Sequence, residues 1–206
     1  MKKCGLNYGY APEQQLFMVD SCLHRYFDKN QEMELSSTRK LKGIFILEGE
    51  KMLTKPQAGW SDFSLEGTSV YGLSYLTDVG IEWVEQAVHG LETLCPFCVC
   101  GNLEPGRMLC VVSYWNCYIF YEHEGSGPVK ENKDKVFEYL SHTSMIDFCQ
   151  YLYDDISGSV DEWASFVDYD DQDFDEKRQR LAQRLERLRA LIDEKRACFG
   201  PNRFFT

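Results

Sequence analysis

Three cysteines fall within six residues, Cys95-Pro96-Phe97-Cys98-Val99-Cys100, and no other set of chemically competent side chains is as dense. A Cys-x-x-Cys turn can place two thiolates on one Zn²⁺. Cys100 or Cys110 would then supply a third ligand and His89 or His123 a fourth. The second Cys-x-x-Cys or His-x₃-His knuckle that usually completes such a site is absent. Structural zinc on Cys95, Cys98 and Cys100 is therefore the alternative, and the expectation is no cofactor, with a short strand whose thiols are buried as small apolar groups.

Cys95-Pro96-Phe97-Cys98 resembles the glutaredoxin active-site tetrapeptide, over those four residues alone. In that family the motif follows a strand and opens a helix, whose N-terminus lowers the pKa of the first thiol. Here the motif follows a predicted helix, and Gly101-Asn102-Leu103-Glu104-Pro105 cannot sustain another. His24, His89, His123 and His142 are scattered; only His123, in Glu122-His123-Glu124, has adjacent carboxylates that favour an imidazolium and can build a general base. Such a histidine facing Cys100, Cys110 or Cys117 defines the enzymatic alternative, a Cys/His or zinc-assisted site assembled from distant residues. Gly-x-Ser-x-Gly, the phosphate-binding Gly-x-x-x-x-Gly-Lys-Ser/Thr, Gly-x-Gly-x-x-Gly after a strand, and His-Glu-x-x-His are all missing. Asp168-Tyr169-Asp170-Asp171-Gln172-Asp173 resembles a calcium loop but lacks its glycine and places Gln179 where the bidentate glutamate belongs.

Carboxylates are the more numerous resource. Asp154, Asp155, Asp161, Glu162, Asp168, Asp170 and Asp171 follow one another with no Lys or Arg between them, and Asp173, Asp175 and Glu176 continue the run. Trp163 and Tyr169 interleave with them, as do Tyr151, Tyr153, Phe166 and Phe174. Aromatics among carboxylates can anchor an interface to a basic partner, and carboxylate rows can imitate a phosphate backbone. Lys177, Arg178, Arg180, Arg184, Arg187 and Arg189 come next, so the sequence poses a local question: whether this basic stretch neutralises the acidic run. Acid at the start of a helix and Lys195 and Arg196 at its end also suit the helix dipole.

The whole chain of 206 residues carries 22 Lys+Arg against 33 Asp+Glu, a net charge of -11. That balance excludes general binding to nucleic acid or to anionic membranes, both of which need a basic face. Nine cysteines, an odd number with no secretory signal before them, point to reduced thiols and a cytoplasmic setting. No stretch is apolar for long enough to span a bilayer. An aromatic content of 14% suits a packed core.

These side chains need a scaffold. Pro12–Phe27 has helical spacing, and Lys42–Glu48, Met52–Thr54 and Val70–Leu76 are strand-like, with Pro56–Gly67 a loop. Thr77-Asp78 opens a helix with Ile81, Val84, Val88 and Leu91 on one stripe, ending near Leu94 before Pro96. Met108–Val112 and Cys117–Tyr121 are the strongest strand signals, joined over Ser113–Asn116 as a hairpin or continuing as one long bent strand, and Gly125–Pro128 closes the β-rich part. Lys133–Leu140 is a short helix, Thr143 caps the next, Gly158 interrupts it and Val160–Val167 resumes it. Residues 173–198 form a long charged helix with Leu181, Leu185, Leu188 and Ile192 on one stripe. The expected fold is α+β: one domain over 1–206, a small and mostly antiparallel sheet packed against helices, and a helical C-terminal third. The function expected of it is non-catalytic protein binding of the inhibitor, immunity or adaptor type, through the acidic surface and towards a basic protein. The residues leave the oligomeric state open.

Overall fold

The computed structural model describes residues 51–122, 136–167 and 173–199, all within the compact unit Gly49–Thr206. The helix expected over Pro12–Phe27, the strand over Lys42–Glu48 and the turn at Gly125–Pro128 lie outside the described residues. The architecture is α+β, as the sequence predicts: the described residues form two antiparallel sheets and four helices, the last one long.

The first sheet is a hairpin of β1 (Trp60–Phe63) and β2 (Tyr71–Ser74), in register from Trp60 opposite Ser74 to Phe63 opposite Tyr71. β1 lies inside the stretch expected to be a loop. Pro56, Gly59 and Gly67 flank it closely, and four residues are too few to show a period through such punctuation. Met52–Thr54 runs alongside β1: Ser64 N–H donates to Met52 O and Thr54 N–H to Asp62 O, both at 2.9 Å.

α1 (Val79–Thr93) begins where Thr77-Asp78 predicts, with the Asp78 carboxylate accepting the Ile81 N–H at 3.1 Å. It ends on Leu94 in the left-handed conformation, φ 51°. Ile81, Val84, Val88 and Leu91 are buried as expected, with Trp83 and Ala87 beside them. Gly90 lets this helix meet the next strand: a Cβ there would lie 2.2 Å from the Phe97 ring.

The second sheet has the order β3-β4-β5-β6, every pair antiparallel: β3 (Phe97–Asn102), β4 (Arg107–Val112), β5 (Cys117–Glu122) and β6 (Val136–Ser141). Its inward face carries Phe97 and Val99 of β3, Met108, Cys110 and Val112 of β4, and Cys117 and Ile119 of β5, all buried. Gly101 is inward too, and a Cβ on it would strike Leu73 of β2 at 2.7 Å, so the small sheet lies close over the large one here. β6 corrects the helix expected over Lys133–Leu140. Val136, Phe137 and Leu140 sit at positions that fit either a helical stripe or a strand, and pairing with β5 from Cys117–Ser141 to Glu122–Val136 decides for the strand.

α2 (Met145–Ser157) is capped by Ser144, one residue after Thr143. Ser144 Oγ accepts the Asp147 N–H at 3.2 Å and donates to Asp147 Oδ2 at 2.7 Å, while the Thr143 hydroxyl is engaged with that of Ser141 at 2.9 Å. Gly158 separates α2 from α3 (Val160–Ala164). α4 (Phe174–Phe199) packs on α1, α2 and α3 through Leu181, Leu185, Leu188, Leu191 and Ile192, all buried. Among the described residues no helix is long and apolar enough to cross a membrane.

Candidate functional site

β3 determines what its cysteines can do. Alternation turns Phe97, Val99 and Gly101 inward and leaves Cys98 half-buried and Cys100 exposed on the other face, with Cys95 exposed before the strand. The strand is as expected, but its thiols do not sit in the core: the apolar residues between them do. Among the described residues no three His, Cys, Asp or Glu side chains converge on a point where a metal could sit, so Cys95, Cys98 and Cys100 do not form a ligand set as they stand. Desolvation and Glu82 push the Cys100 thiol up, with Arg107 opposing, which disfavours the nucleophilic thiolate.

Cys110, Cys117 and Cys149 are the buried thiols. Burial pushes Cys110 and Cys149 well up, and Cys117 Sγ donates to Thr143 O at 3.4 Å. His142 shares a hydrogen bond with Asn116 at 2.9 Å, and His89 lies on the exposed side of α1. His123 falls outside the described residues. No cysteine is brought to a histidine by these contacts.

The acidic candidates divide by what holds them. Asp155 Oδ2 accepts the Leu53 N–H at 2.9 Å and so fixes the chain beside β1. Asp161 pairs with Arg178, and Glu162 with Lys55. Asp154 accepts a hydrogen bond from the uncharged Gln150 amide at 2.8 Å. Asp168, Tyr169, Asp170 and Asp171 lie outside the described residues. Trp163 requires a correction. It is 0% exposed, packed edge-to-face on Phe166 at 5.4 Å and against Gly80, where a Cβ would come within 3.1 Å of it. It belongs to the core and cannot anchor a partner. The one-turn helix α3 aims it inward while its neighbours Asp161 and Glu162 stay outside.

The basic stretch of α4 is spent mainly elsewhere. Arg180 holds Glu85 of α1 through two nitrogens, at 2.8 and 3.1 Å, and Arg184 reaches the same carboxylate at 3.4 Å. Arg187 pairs with Glu92 at 2.8 Å. Lys177, only 2% exposed, lies 3.6 Å from Asp78 and 3.4 Å from Val167 O. Within the described part of the acidic run, Asp161 is the residue that α4 neutralises.

What remains outward is a patch on α2. Tyr151 is 48% exposed, with Asp147 one turn before it and Asp154 one turn after. Burial, Asp147 and Glu66 push its hydroxyl up and Arg196 opposes them, so all three charges lie near the ring. Arg196 is 3.8 Å from Asp147 and donates to Gln150 at 2.7 Å. Sequence reasoning named Tyr151 among the interleaved aromatics but not among the site residues. The signal was the helical spacing of Asp147, Tyr151 and Asp154. Glu66 arrives from the β1–β2 connection, and nothing local announces it.

Comparison of the chain with protein-family models, with curated proteins and with solved structures finds no match.

Proposed function

We propose that the chain is a non-catalytic protein-binding protein, of inhibitor, immunity or adaptor type, that takes a basic partner on an acidic surface bearing an exposed aromatic ring. The observation that carries this reading is Tyr151, 48% exposed between Asp147 and Asp154 and beside Glu66. An aromatic ring offers a large rigid contact, and surrounding carboxylates steer a cationic partner towards it. The net charge of -11 adds to that steering, and the thiols of Cys95, Cys100, Cys110, Cys117, Cys149 and Cys198 suit a reducing, cytoplasmic setting.

Affinity capture from the native cell, with the wild-type chain and a Tyr151→Ala/Asp154→Asn double variant as parallel baits, tests this reading. A basic protein held by the wild type and released from the variant is the expected outcome. Equal retention on both baits would overturn the assignment of this patch, and capture of acidic or neutral proteins alone would overturn the choice of partner.

A further inference from the structure

Asp147, Gln150, Tyr151 and Asp154 recur at helical spacing and share one face of α2. Arg196, in the last turn of α4, lays its guanidinium against that face. Its Nη1 donates to Gln150 Oε1 at 2.7 Å, and its Nη2 stands 3.8 Å from Asp147 Oδ1. Two nitrogens of one guanidinium thus serve two acceptors one turn apart. A planar fork spans such a pair better than the point charge of an ammonium does. The contact also orients both acceptors. With its oxygen on Arg196, the Gln150 amide turns its nitrogen to Asp154 Oδ1, at 2.8 Å. Asp147 Oδ2 meanwhile accepts from Ser144 Oγ at 2.7 Å, which leaves Oδ1 towards Arg196. The face is built around one guanidinium, and the chain itself supplies it.

That contact is weak at its charged end. The Arg196 side chain is 40% exposed and that of Asp147 32%. An ion pair so exposed, at 3.8 Å, gains little and is screened by salt. It still has an effect on the patch. Burial, then Asp147 and Glu66, push the Tyr151 hydroxyl up, and Arg196 opposes them. The guanidinium therefore cancels part of the negative field that steers a basic partner towards the ring.

We propose that Arg196 is an autoinhibitory stand-in for the partner, and that an arginine of the partner displaces it from Gln150 Oε1 and Asp147 Oδ1 to sit beside the Tyr151 ring. Displacement needs only a rotation of one half-exposed side chain. The proposal rests on the reading of a basic partner at Tyr151. It adds the side chain that the partner presents and the contact that it breaks. Arg196 also suits the C-terminal end of the α4 dipole, but a contact that merely tied α4 to α2 would cost stability when cut and would gain nothing in affinity.

The probes are hexa-arginine and hexa-lysine peptides, acetylated and amidated, titrated calorimetrically into the full chain, with amide NMR to locate the site. Arg196→Lys keeps the net charge and loses the fork, so hexa-arginine should bind this variant roughly threefold more tightly than the wild type. Arg196→Gln should gain more than that. It should also gain more than Arg187→Gln, which removes an equal charge from the side of α4 that faces Glu92 of α1. The wild type should prefer hexa-arginine to hexa-lysine, and hexa-arginine should shift the side-chain amide of Gln150. Unchanged or weaker binding to Arg196→Lys would overturn displacement, and this variant decides the matter if Arg196→Gln misfolds. Equal gains in Arg196→Gln and Arg187→Gln, or equal affinity for the two peptides, would overturn it too. Those failures leave the basic-partner reading standing where hexa-arginine still shifts Tyr151 and Asp154 and binds Tyr151→Ala/Asp154→Asn less tightly. Absence of shifts at Tyr151 and Asp154 in every chain would overturn both.

Discussion

Asp155 shows how a carboxylate can be committed to the backbone of its own chain. Its Oδ2 is the acceptor for the N–H of Leu53, a residue only 1% exposed, 102 positions earlier in the sequence. Asp155→Ala leaves that donor without a partner, and the expected loss is about 1–3 kcal/mol at neutral pH, read from urea unfolding. The same site carries a pH dependence. Burial raises the Asp155 carboxyl above its ordinary value, outweighing the Leu53 N–H, Lys51 and the Met52 N–H, which lower it. The folded protein then holds this proton more tightly than the unfolded chain does. Its contribution to stability is complete below the ordinary carboxylate pKa and is lost as pH rises through the raised folded value. Measured against Asp155→Asn, which cannot titrate, wild-type stability should therefore fall as pH climbs from the ordinary carboxylate range towards neutrality. A flat or rising difference would refute the assignment. Trp163 carries a related lesson. Flanked by acids it resembles a surface anchor, yet Val160, Trp163, Ala164 and Val167 fall at helical spacing, and all but the half-buried Val160 are buried.

At the scale of elements, α4 is fixed by two kinds of contact whose weights differ. Leu181, Leu185, Leu188, Leu191 and Ile192 make its buried stripe, and Arg180, Arg184 and Arg187 clamp Glu85 and Glu92 of α1 along its rim. Buried leucines outweigh half-exposed ion pairs. Leu188→Ala should cost roughly 2–5 kcal/mol, whereas Arg184→Ala should cost less than about 1 kcal/mol and lose that effect in high salt. Thermal unfolding of both variants at low and high ionic strength checks the ranking, and equal losses would contradict it. This helix and α1 were legible in the sequence because each repeats an apolar stripe over several turns and each has acid at its start. β4 and β5 were legible as dense runs around a two-residue turn, Tyr114-Trp115. What escaped had too little length to show a period: β1 spans four residues, and β6 carries a pattern that helix and strand share until β5 pairs with it. The candidate site was legible only along α2. The placement of Glu66 beside Tyr151, and the commitment of Arg180, Arg184 and Arg187 to α1, depend on contacts far apart in sequence.

For the molecule as a whole, a net charge of -11 says little until each carboxylate is assigned a neighbour. α4 could in principle have folded back to neutralise the acidic run; Arg180, Arg184 and Arg187 instead tie α1, and among the described residues of the run Arg178 reaches Asp161. Among the described residues Asp154 is held by the uncharged Gln150 amide and not by a cation, and it stands one turn from the exposed Tyr151. These two aspartates, seven residues apart, should therefore behave differently towards a basic partner. Asp154→Asn removes a charge that the partner would feel, and the association rate should fall severalfold at low salt, with a shallower dependence on ionic strength. Asp161→Asn removes a charge that Arg178 already offsets and exposes that guanidinium in its place, so its change should be smaller at the patch, despite its identical formal charge. Stopped-flow association of each variant with the captured partner, over a range of salt concentrations, separates the two. Equal slopes for both would mean that the partner responds to total charge, and that the patch around Tyr151 has no special role.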